Sequence, residues 1–423
     1  MMRSIIVMAL EYPPKAGTGT CVFELVEGLD RSGYEVTVIA PSATSSATFR
    51  QSNVTTYLVA ASEATNSAIK HSSTVRGILA MNEDLLAFGQ GLMAGTERRP
   101  DVIHCHDWFT FPAARQLGSQ FGIPVVGTAH YTSDPIDEWW GLKPEAELLE
   151  QEKSLFCDSD KLIVVSHSVR DLIQSSYGLA DDRLRVVYNG LQAGPFIKHR
   201  SNPEQMKLLR ASIAATHEKI ILFAGRLTPQ KGISSLFASA AQVVSEEPNV
   251  RYLLVGEPDS RASADAVTRL LQRYSNISDK LKLLGWVPRK QVALLYGIAD
   301  IVVIPSIYET FGYTALEAMA SGAAVVASDV GGLAEIIQHG RTGLLVPVHR
   351  DHSGRHRVDV DELTAAQLTL LNDAAFAREL ARAGQQHVLS EFTVERMVSS
   401  TVEVYLQAIT GRQSTLITTQ SNS

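Results

Sequence analysis

Long hydrophobic runs are absent from this sequence of 423 residues. None of its apolar stretches approaches the roughly 18 residues that a membrane-spanning helix requires. The apolar run at residues 5–10 meets Glu11 too early to form a secretory signal followed by a cleavage site. We therefore expect a cytoplasmic protein with no stable membrane association.

Cysteine is scarce as well. Cys21, Cys105 and Cys157 are far apart and no Cys-x-x-Cys pair occurs, which argues against a disulfide framework and favours buried thiols in a reducing compartment. Basic residues are not in excess, because 38 Lys and Arg against 45 Asp and Glu give a net charge of −7. A nucleic-acid partner is therefore not expected. No Gly-Lys dipeptide occurs, which excludes a P-loop.

Short β-branched runs alternate with amphipathic helical patterns along the chain. Near-continuous apolar strands separated by helices are typical of parallel sheets covered on both faces. The pattern stops in a polar, proline-containing stretch near residues 193–203 and then restarts. The sequence predicts an α/β fold of two Rossmann-like, doubly wound parallel-sheet domains facing a central cleft, at 1–195 and 204–390. We also predict a helix at 391–411 that packs back toward the first domain, and a disordered tail at 412–423.

The predicted strands share β-branched residues and flanking turn residues. They are 5–10, 36–40, 54–58, 102–106, 125–130, 162–165, 185–188, 220–224, 252–255, 281–284, 301–304, 324–328 and 344–346.

The richest motif starts where the predicted strand at 301–304 ends. A loop carries Glu309, a helix opens near Gly312, and Glu317 lies about one turn into that helix. A helix N-terminus offers N–H groups and a partial positive charge, so it binds anions, and glycine lets an oxyanion approach the backbone. Glu317 is placed to reach a hydroxyl beside a bound phosphate. A capped structural helix is the alternative interpretation.

A second motif, Gly225-Arg226 followed by Lys231-Gly232, also follows a predicted strand. Arginine as a planar fork and lysine as a point charge suit a diphosphate. Surface charges on a turn are the alternative. Because both motifs follow strands of the same domain, one joint anion site is favoured.

Gly17 and Gly19 follow the first strand and permit a tight turn. The third glycine of a dinucleotide fingerprint is replaced by valine, so a structural turn is equally compatible with this pair. His104 and His106 share one face of a strand, and His130 ends the next strand. Because no third ligand recurs at a fixed spacing, we predict a hydrogen-bonding histidine rather than a metal site.

Two further motifs have plain structural interpretations. Asp359-Val360-Asp361 precedes an apolar helical run and is predicted to be an N-cap rather than a metal–nucleotide site. The histidines and arginines of 349–357 are predicted to form a solvated loop.

Together these residues resemble the family 4 retaining glycosyltransferases of the GT-B class. The resemblance covers about residues 1–410, and its most specific part is the Glu-x7-Glu spacing of Glu309 and Glu317. Segments 186–190, 225–232, 324–336 and 340–343 also match. Ala16 stands where the family often has glycine, and Leu191-Gln192 replaces Val-Asp, so the acceptor stays open.

The resemblance assigns roles to individual residues. It implies that the cations hold the donor diphosphate, that Glu317 bonds the ribose, that Glu309 bonds the sugar and that His130 contacts the transferring sugar. The implied catalytic residues are Arg226, Lys231, Glu309 and His130. The implied donor-binding residues are Gly17, Gly19, Gly225, Val287, Thr310, Phe311, Gly312, Tyr313 and Glu317.

The expected chemistry follows from charge. Negative charge builds on the diphosphate as its bond to the sugar breaks, and the cations and the helix N-terminus would stabilise it without a metal or another cofactor. Retention of configuration, hexosyl transfer and a nucleotide-sugar donor rest on the resemblance, and UDP is chosen because it is frequent in the family.

The acceptor is expected to be a small soluble molecule with a free hydroxyl. Asp134, Asp137 and Glu138 lie beside Trp139 and Trp140, and carboxylates beside indoles suit a cationic, sugar-like ligand by charge and stacking. We therefore hypothesise an aminocyclitol or aminosugar. A loop with a buried aromatic pair is the alternative.

Other functions and an assembly stay open. A UDP-sugar 2-epimerase-like isomerase shares the two-domain fold, although it lacks the Gly-Arg…Lys-Gly and Glu-x7-Glu arrangement. A non-catalytic binding protein with this fold is a further alternative. Such a protein would not need all four charged residues of the motifs, which are Arg226, Lys231, Glu309 and Glu317. A homodimer is compatible with the sequence.

Overall fold

The apolar runs of the sequence form parallel β-strands in the computed structural model of the protein. The structure describes residues 2–13, 17–71, 74–96, 98–133, 145–198, 202–352 and 355–421, except for the side chains of 70, 71 and 413–421. The described chain divides into two units. The first contains the residues up to 190 together with 394–421, and the second contains 191–393.

The first unit is built on an eight-stranded sheet. Its strands β1 to β8 are Ser4–Met8, Glu35–Ser42, Ala47–Gln51, Val54–Ala60, Val102–His106, Val125–Ala129, Lys161–Val164 and Leu184–Val186. Their order is β3-β4-β2-β1-β5-β6-β7-β8, and only the β3–β4 pair is antiparallel among the described strands of this sheet. Its helices α1 to α6 are Gly17–Arg31, Glu63–His71, Thr74–Ala94, Phe111–Phe121, Ala146–Asp158 and His167–Tyr177.

The second unit is built on a six-stranded parallel sheet and a small hairpin. Strands β9 to β14 are Lys219–Ala224, Val250–Val255, Leu281–Gly285, Ile301–Ile304, Ala324–Ser328 and Leu344–Val346, and the hairpin strands β15 and β16 are Val348–Arg350 and His356–Val358. Helices α7 to α15 are Gly194–Ile197, Pro203–Ile213, Ile233–Glu246, Arg261–Arg273, Arg289–Ile298, Tyr313–Ala320, Gly331–Ile336, Val360–Asn372 and Ala374–Glu391.

The strand order of the second sheet creates a crevice. The order is β11-β10-β9-β12-β13-β14, so the chain fills one side of β9 first and then continues on its other side with β12. Every residue of β12 and β13 is buried, because helices cover both faces of a parallel sheet. In such sheets ligands bind beyond the carboxyl ends of the strands where the order reverses. For this unit that point lies between β9 and β12.

The last helix, α16 (Val394–Ser421), belongs to the first unit. Tyr405 is fully buried, and its hydroxyl lies 2.7 Å from Nδ1 of His104. Gly28 makes room for the helix, since a Cβ there would lie 2.6 Å from side chains of Val394 and Val398. The helix extends through 412–421, where the composition predicts a tail, because adding turns to a formed helix costs little.

Other differences from the prediction have local causes. Residues at both ends of the predicted loop at 349–357 belong to the antiparallel strands β15 and β16, and an ion pair joins Arg357 and Asp351 at 2.5 Å. Helix α1 begins at Gly17, so it includes the two glycines for which a tight turn was predicted, because glycine's low helix propensity hides the start of the helix. The N-cap is confirmed, since Asp359 accepts hydrogen bonds from two backbone N–H groups.

No helix in the described part of the chain is both long enough and apolar enough to cross a membrane.

Candidate active site

Glycines lock three strand-end loops of the second unit together at the crevice. A Cβ on Gly232, which has φ +69°, would lie 1.7 Å from the carbonyl oxygen of Pro305. A Cβ on Gly331, with φ +48°, would lie 2.0 Å from the carbonyl oxygen of Glu309, which accepts a hydrogen bond from Gly332 N at 2.9 Å. Only glycine permits these approaches. The loops after β9, β12 and β13 are therefore held in one arrangement.

This arrangement brings Lys231 to Glu309. Lys231 Nζ lies 2.5 Å from Glu309 Oε2, although the residues are 78 positions apart in sequence. Both side chains are mostly buried, at 19% and 16% exposed. Ser306 Oγ also donates to Glu309 Oε2, at 3.3 Å. Lys231, predicted to bind the phosphate, and Glu309, predicted to bind the sugar, thus form one hydrogen-bonded pair.

The loop that carries Glu309 leads into the N-terminus of α12. Gly312 is its N-cap and has φ +118°, and a glycine has no side chain with which to cap the helix. Thr310 and Phe311 precede it and Tyr313 is the first helical residue. The positive end of the helix dipole therefore begins three residues after Glu309 in the chain.

Arg226 follows β9 and is held from the neighbouring loop. Its Nη1 lies 2.8 Å from Oδ2 of Asp259, and Gln230 Oε1 accepts from its Nη2 at 3.2 Å. The side chain remains 56% exposed. A Cβ on Gly256 would lie 1.9 Å from the carbonyl oxygen of Gly225, so the loops after β9 and β10 are also packed backbone to backbone.

Glu317 is paired inside the second turn of α12. Arg289 Nε donates to its Oε1 at 2.8 Å, and the Tyr296 hydroxyl donates to its Oε2 at 3.5 Å. The Arg289 guanidinium lies 5.2 Å from the ring centroid of Phe196, a cation–π distance. Burial raises the pKa of Glu317 above its ordinary value, and Arg289 opposes this shift. The carboxylate is oriented by these partners.

Val287 follows β11 in a half-buried position. Gly285 before it has φ +66°, and the Trp286 backbone N–H donates to Glu257 Oε1 at 3.3 Å. Trp286 itself is 66% exposed. This strand end presents backbone groups next to an exposed indole.

These three cations share one electrostatic property. Arg226, Lys231 and Arg289 each lie within 2.8 Å of a carboxylate oxygen. Ion pairing keeps the cations in fixed positions at little net charge. An incoming diphosphate, with charge of at least −2, can replace or share the carboxylate partners of Arg226 and Lys231 and so meet preorganised donors.

His130 lies in the first unit, where β6 ends. Its Nε2 lies 2.9 Å from Nδ1 of His106, and its backbone N–H donates to Asp107 Oδ1 at 2.7 Å. Burial lowers the pKa of His130 to about 4 and that of His104 to about 3. Burial also raises the pKa of Asp107 to about 7, against hydrogen bonds from backbone N–H groups. The histidines are therefore neutral at pH 7.

The remaining predicted residues are placed as follows. Gly17 and Gly19 lie in the first turn of α1 rather than in a loop before it. Asp134, Asp137, Glu138, Trp139 and Trp140 lie outside the described residues. The described segment just before them is fixed, since Ser133 N and Oγ donate to the buried Glu152 at 3.0 and 2.8 Å.

Several residues that support the site were not predicted from the sequence. Asp259 lies just after β10, so the strand-end rule that identified Arg226 could have found it. Arg289 lies in the first turn of α11 and carries no motif, and only its contact with Glu317 distinguishes it. Asp107 has a rare positive φ of 55° for a non-glycine residue, which no pattern reveals.

Comparison with known proteins adds an independent observation. The model for "Glycosyl transferases group 1" matches residues 205–386, and the model for "Glycosyltransferase Family 4" matches residues 16–193. An uncharacterized glycosyltransferase of Methanocaldococcus jannaschii is 31% identical over 95% of this chain and 97% of its own length. The chain belongs to the family 4 glycosyltransferases. This confirms the family predicted from the motifs.

Two further similarities place this glycosyltransferase among its relatives. The alpha-maltose-1-phosphate synthase of Mycolicibacterium smegmatis is 32% identical over 74% of this chain and 80% of its own length. The structure of sucrose-phosphate synthase from Thermosynechococcus elongatus superposes with a TM-score of 0.80 at 24% identity, and covers 97% of this chain and 100% of that one. The predicted GT-B α/β fold of the glycosyltransferase is confirmed.

Proposed function

We propose that the protein is a retaining hexosyltransferase that moves a sugar from a UDP-sugar to a hydroxyl of a small soluble acceptor. The observation that carries this is the Lys231–Glu309 pair at 2.5 Å, which the closely packed glycine loops bring together three residues before Gly312, the N-cap of α12. A cation and a helix N-terminus at a sheet crevice suit a diphosphate, and a carboxylate beside them suits sugar hydroxyls.

The proposed chemistry places each group in a role. Lys231, Arg226 and the N–H groups of α12 stabilise the charge that develops on the diphosphate as the glycosidic bond breaks. Glu317 accepts hydrogen bonds from the ribose while Arg289 fixes its orientation. His130 contacts the transferring sugar. The acceptor hydroxyl enters on the face that the phosphate leaves and gives its proton to a phosphate oxygen, so no metal is required.

The proposed donor and the proposed stereochemical outcome are tested with one panel of nucleotide sugars. The protein is incubated with UDP-, GDP- and ADP-glucose, with and without acceptors, and released nucleotide and products are followed by chromatography. UDP release that depends on an acceptor, with an axial anomeric bond in the product NMR spectrum, supports the proposal. A changed sugar still attached to its nucleotide would identify an epimerase, and binding without turnover would identify a non-catalytic protein.

There are two competing hypotheses for the chemical class of the acceptor. An aminocyclitol or aminosugar follows from the acidic and aromatic cluster at 134–140, and a sugar phosphate is favoured by the names of the maltose-1-phosphate and sucrose-phosphate synthases. The variant Asp134→Asn/Asp137→Asn/Glu138→Gln separates them. It should depress kcat/KM for amino acceptors and leave neutral or phosphorylated ones unchanged, and equal losses for all acceptors would remove the first hypothesis.

A further inference from the structure

Two adjacent residues hold both the ring and the main chain of His130. His106 Nδ1 lies 2.9 Å from His130 Nε2, and the rings are stacked with centroids 5.2 Å apart and planes 19° apart. Asp107 Oδ1 accepts the backbone N–H of His130 at 2.7 Å. All three residues are buried: His106 is 2% exposed, His130 is 7% exposed and Asp107 is 5% exposed. Neither the ring nor the backbone of His130 is free to turn without losing a buried hydrogen bond.

Asp107 is held in an unfavourable conformation to make this contact. Its φ is +55°, a region that non-glycine residues rarely adopt. Its backbone N–H donates to the carbonyl oxygen of Thr128 at 2.8 Å, which fixes that conformation. Strained residues of this kind persist where their surroundings over-determine them, and they cluster at functional sites.

The bond between the two rings has a defined direction. Both imidazoles are neutral, since burial lowers the pKa of His130 to about 4 and that of His106 well below its ordinary value. One ring therefore donates and the other accepts. His106 Nε2 is buried and has no hydrogen-bond partner among the described residues. A buried N–H without an acceptor is rarer than a buried acceptor without a donor, so the proton of His106 lies on Nδ1.

We propose that His106 is a positioning residue that holds His130 in a single tautomer, with Nε2 accepting from His106 and the proton on Nδ1. His130 then presents an N–H donor, and not an acceptor, to its ligand. That the ligand is the transferring sugar rests on the proposed function. The orientation of the ring and its tautomer do not depend on that function.

His104 supplies a matched control in the same cluster. It is equally buried, and its ring centroid lies 4.3 Å from that of His106. Its own nitrogens bond elsewhere, Nδ1 to the Tyr405 hydroxyl and Nε2 to Thr128 Oγ1, each at 2.7 Å. Replacing it disturbs the packing without removing the bond to His130.

The test reads the tautomer directly in the full-length protein labelled with ¹⁵N histidine. Long-range ¹H–¹⁵N correlation spectra distinguish a protonated from an unprotonated ring nitrogen, and loss of signals in His130→Gln assigns that ring. We expect His130 to carry its proton on Nδ1 and to keep that state between pH 6 and 8. A proton on Nε2, or an averaged mixture of the two tautomers, overturns the proposal without any mutation of the cluster.

Variants then test whether His106 is the cause. His106→Phe keeps a ring but removes the donor, and we expect His130 to change or average its tautomer, with kcat falling roughly tenfold because one oriented hydrogen bond is lost. His106→Asn places an amide donor near the position of Nδ1 and should restore both. His104→Phe should leave the His130 spectrum unchanged. If His106→Phe leaves that spectrum unchanged, His106 is not the positioning residue.

The spectral readout separates this proposal from the proposed function. If no donor supports transfer but the tautomer responds to His106 as expected, the assignment of His106 stands and the function fails. If transfer occurs but the tautomer does not respond, the reverse holds.

Discussion

Replacing Lys231 separates its contribution to catalysis from its contribution to folding. In Lys231→Met the hydrocarbon stem remains, but the ammonium 2.5 Å from Glu309 Oε2 is lost. Removing one preorganised group that stabilises developing charge lowers kcat by about 10²–10³-fold. Breaking a fully buried pair costs about 3–5 kcal/mol. Here the two side chains are still 19% and 16% exposed to solvent, which weakens the interaction. We therefore expect a smaller loss, of about 2 kcal/mol in the free energy of unfolding.

The control is an ion pair of similar burial in the same unit. Arg251 Nη2 lies 2.9 Å from Glu218 Oε1, and the side chains are 24% and 6% exposed. Arg251→Met should destabilise the protein by a similar amount, about 2 kcal/mol, and leave kcat unchanged. Urea unfolding measures stability, and release of nucleotide from the nucleotide-sugar donor measures turnover.

The two variants together decide the assignment of Lys231. Lys231→Arg keeps the cation with a different shape and should retain part of the activity. The reasoning is refuted if Lys231→Met keeps more than a tenth of the turnover, or if Arg251→Met loses activity to the same extent, since stability alone would then explain the loss.

Three other measurements test the site and its supports. Glu317→Gln should weaken nucleotide binding in calorimetry by roughly tenfold, because the charged hydrogen bond proposed between Glu317 and the ribose is lost. The same loss in Arg289→Lys would indicate that the orientation of the Glu317 carboxylate matters. Unchanged affinity in both variants contradicts the proposed role. Gly232→Ala should lower the free energy of unfolding in urea by about 3 kcal/mol. Gly33 also has a positive φ but has open space around it, so Gly33→Ala should lose only about 1 kcal/mol. Equal losses would mean that the close packing of the loops at Gly232 does not cause the larger loss. Burial raises the pKa of Asp107 to about 7 in the folded state, so the folded protein retains a proton that the unfolded chain releases. The stability of the wild type relative to Asp107→Asn should therefore fall as pH rises from about 4 to 7, by roughly 1 kcal/mol per pH unit. Parallel curves of stability against pH for the two proteins would contradict the raised pKa.

The strands were predictable because burial on both faces leaves an unbroken apolar run. The bounds predicted for 301–304, 324–328 and 344–346 agree with those in the structure. Helix α3 is difficult to recognise in the sequence because its buried face includes Gly77, Asn82 and Gly89, which interrupt the apolar period. The hairpin β15–β16 was missed because its polar residues resemble those of a loop.

The candidate site was predictable in its residues but not in its pairings. Strand-end position and charge identify Arg226, Lys231 and Glu309 from sequence. That Lys231 bonds Glu309 depends on glycines whose approach to a neighbouring loop is a property of the folded chain. Arg289 carries no local signal, because its role is defined only by the orientation it gives to Glu317.

The membership of α16 in the first unit has a consequence for biosynthesis. Among the described residues the second unit, 191–393, is continuous in the chain, whereas the first is completed only by residues that are synthesised after the second unit. The second unit can therefore reach its native state during translation, while the residues before 191 remain incomplete until Tyr405 covers His104. A nascent chain halted before that point would expose an unfinished N-terminal core to chaperones and proteases.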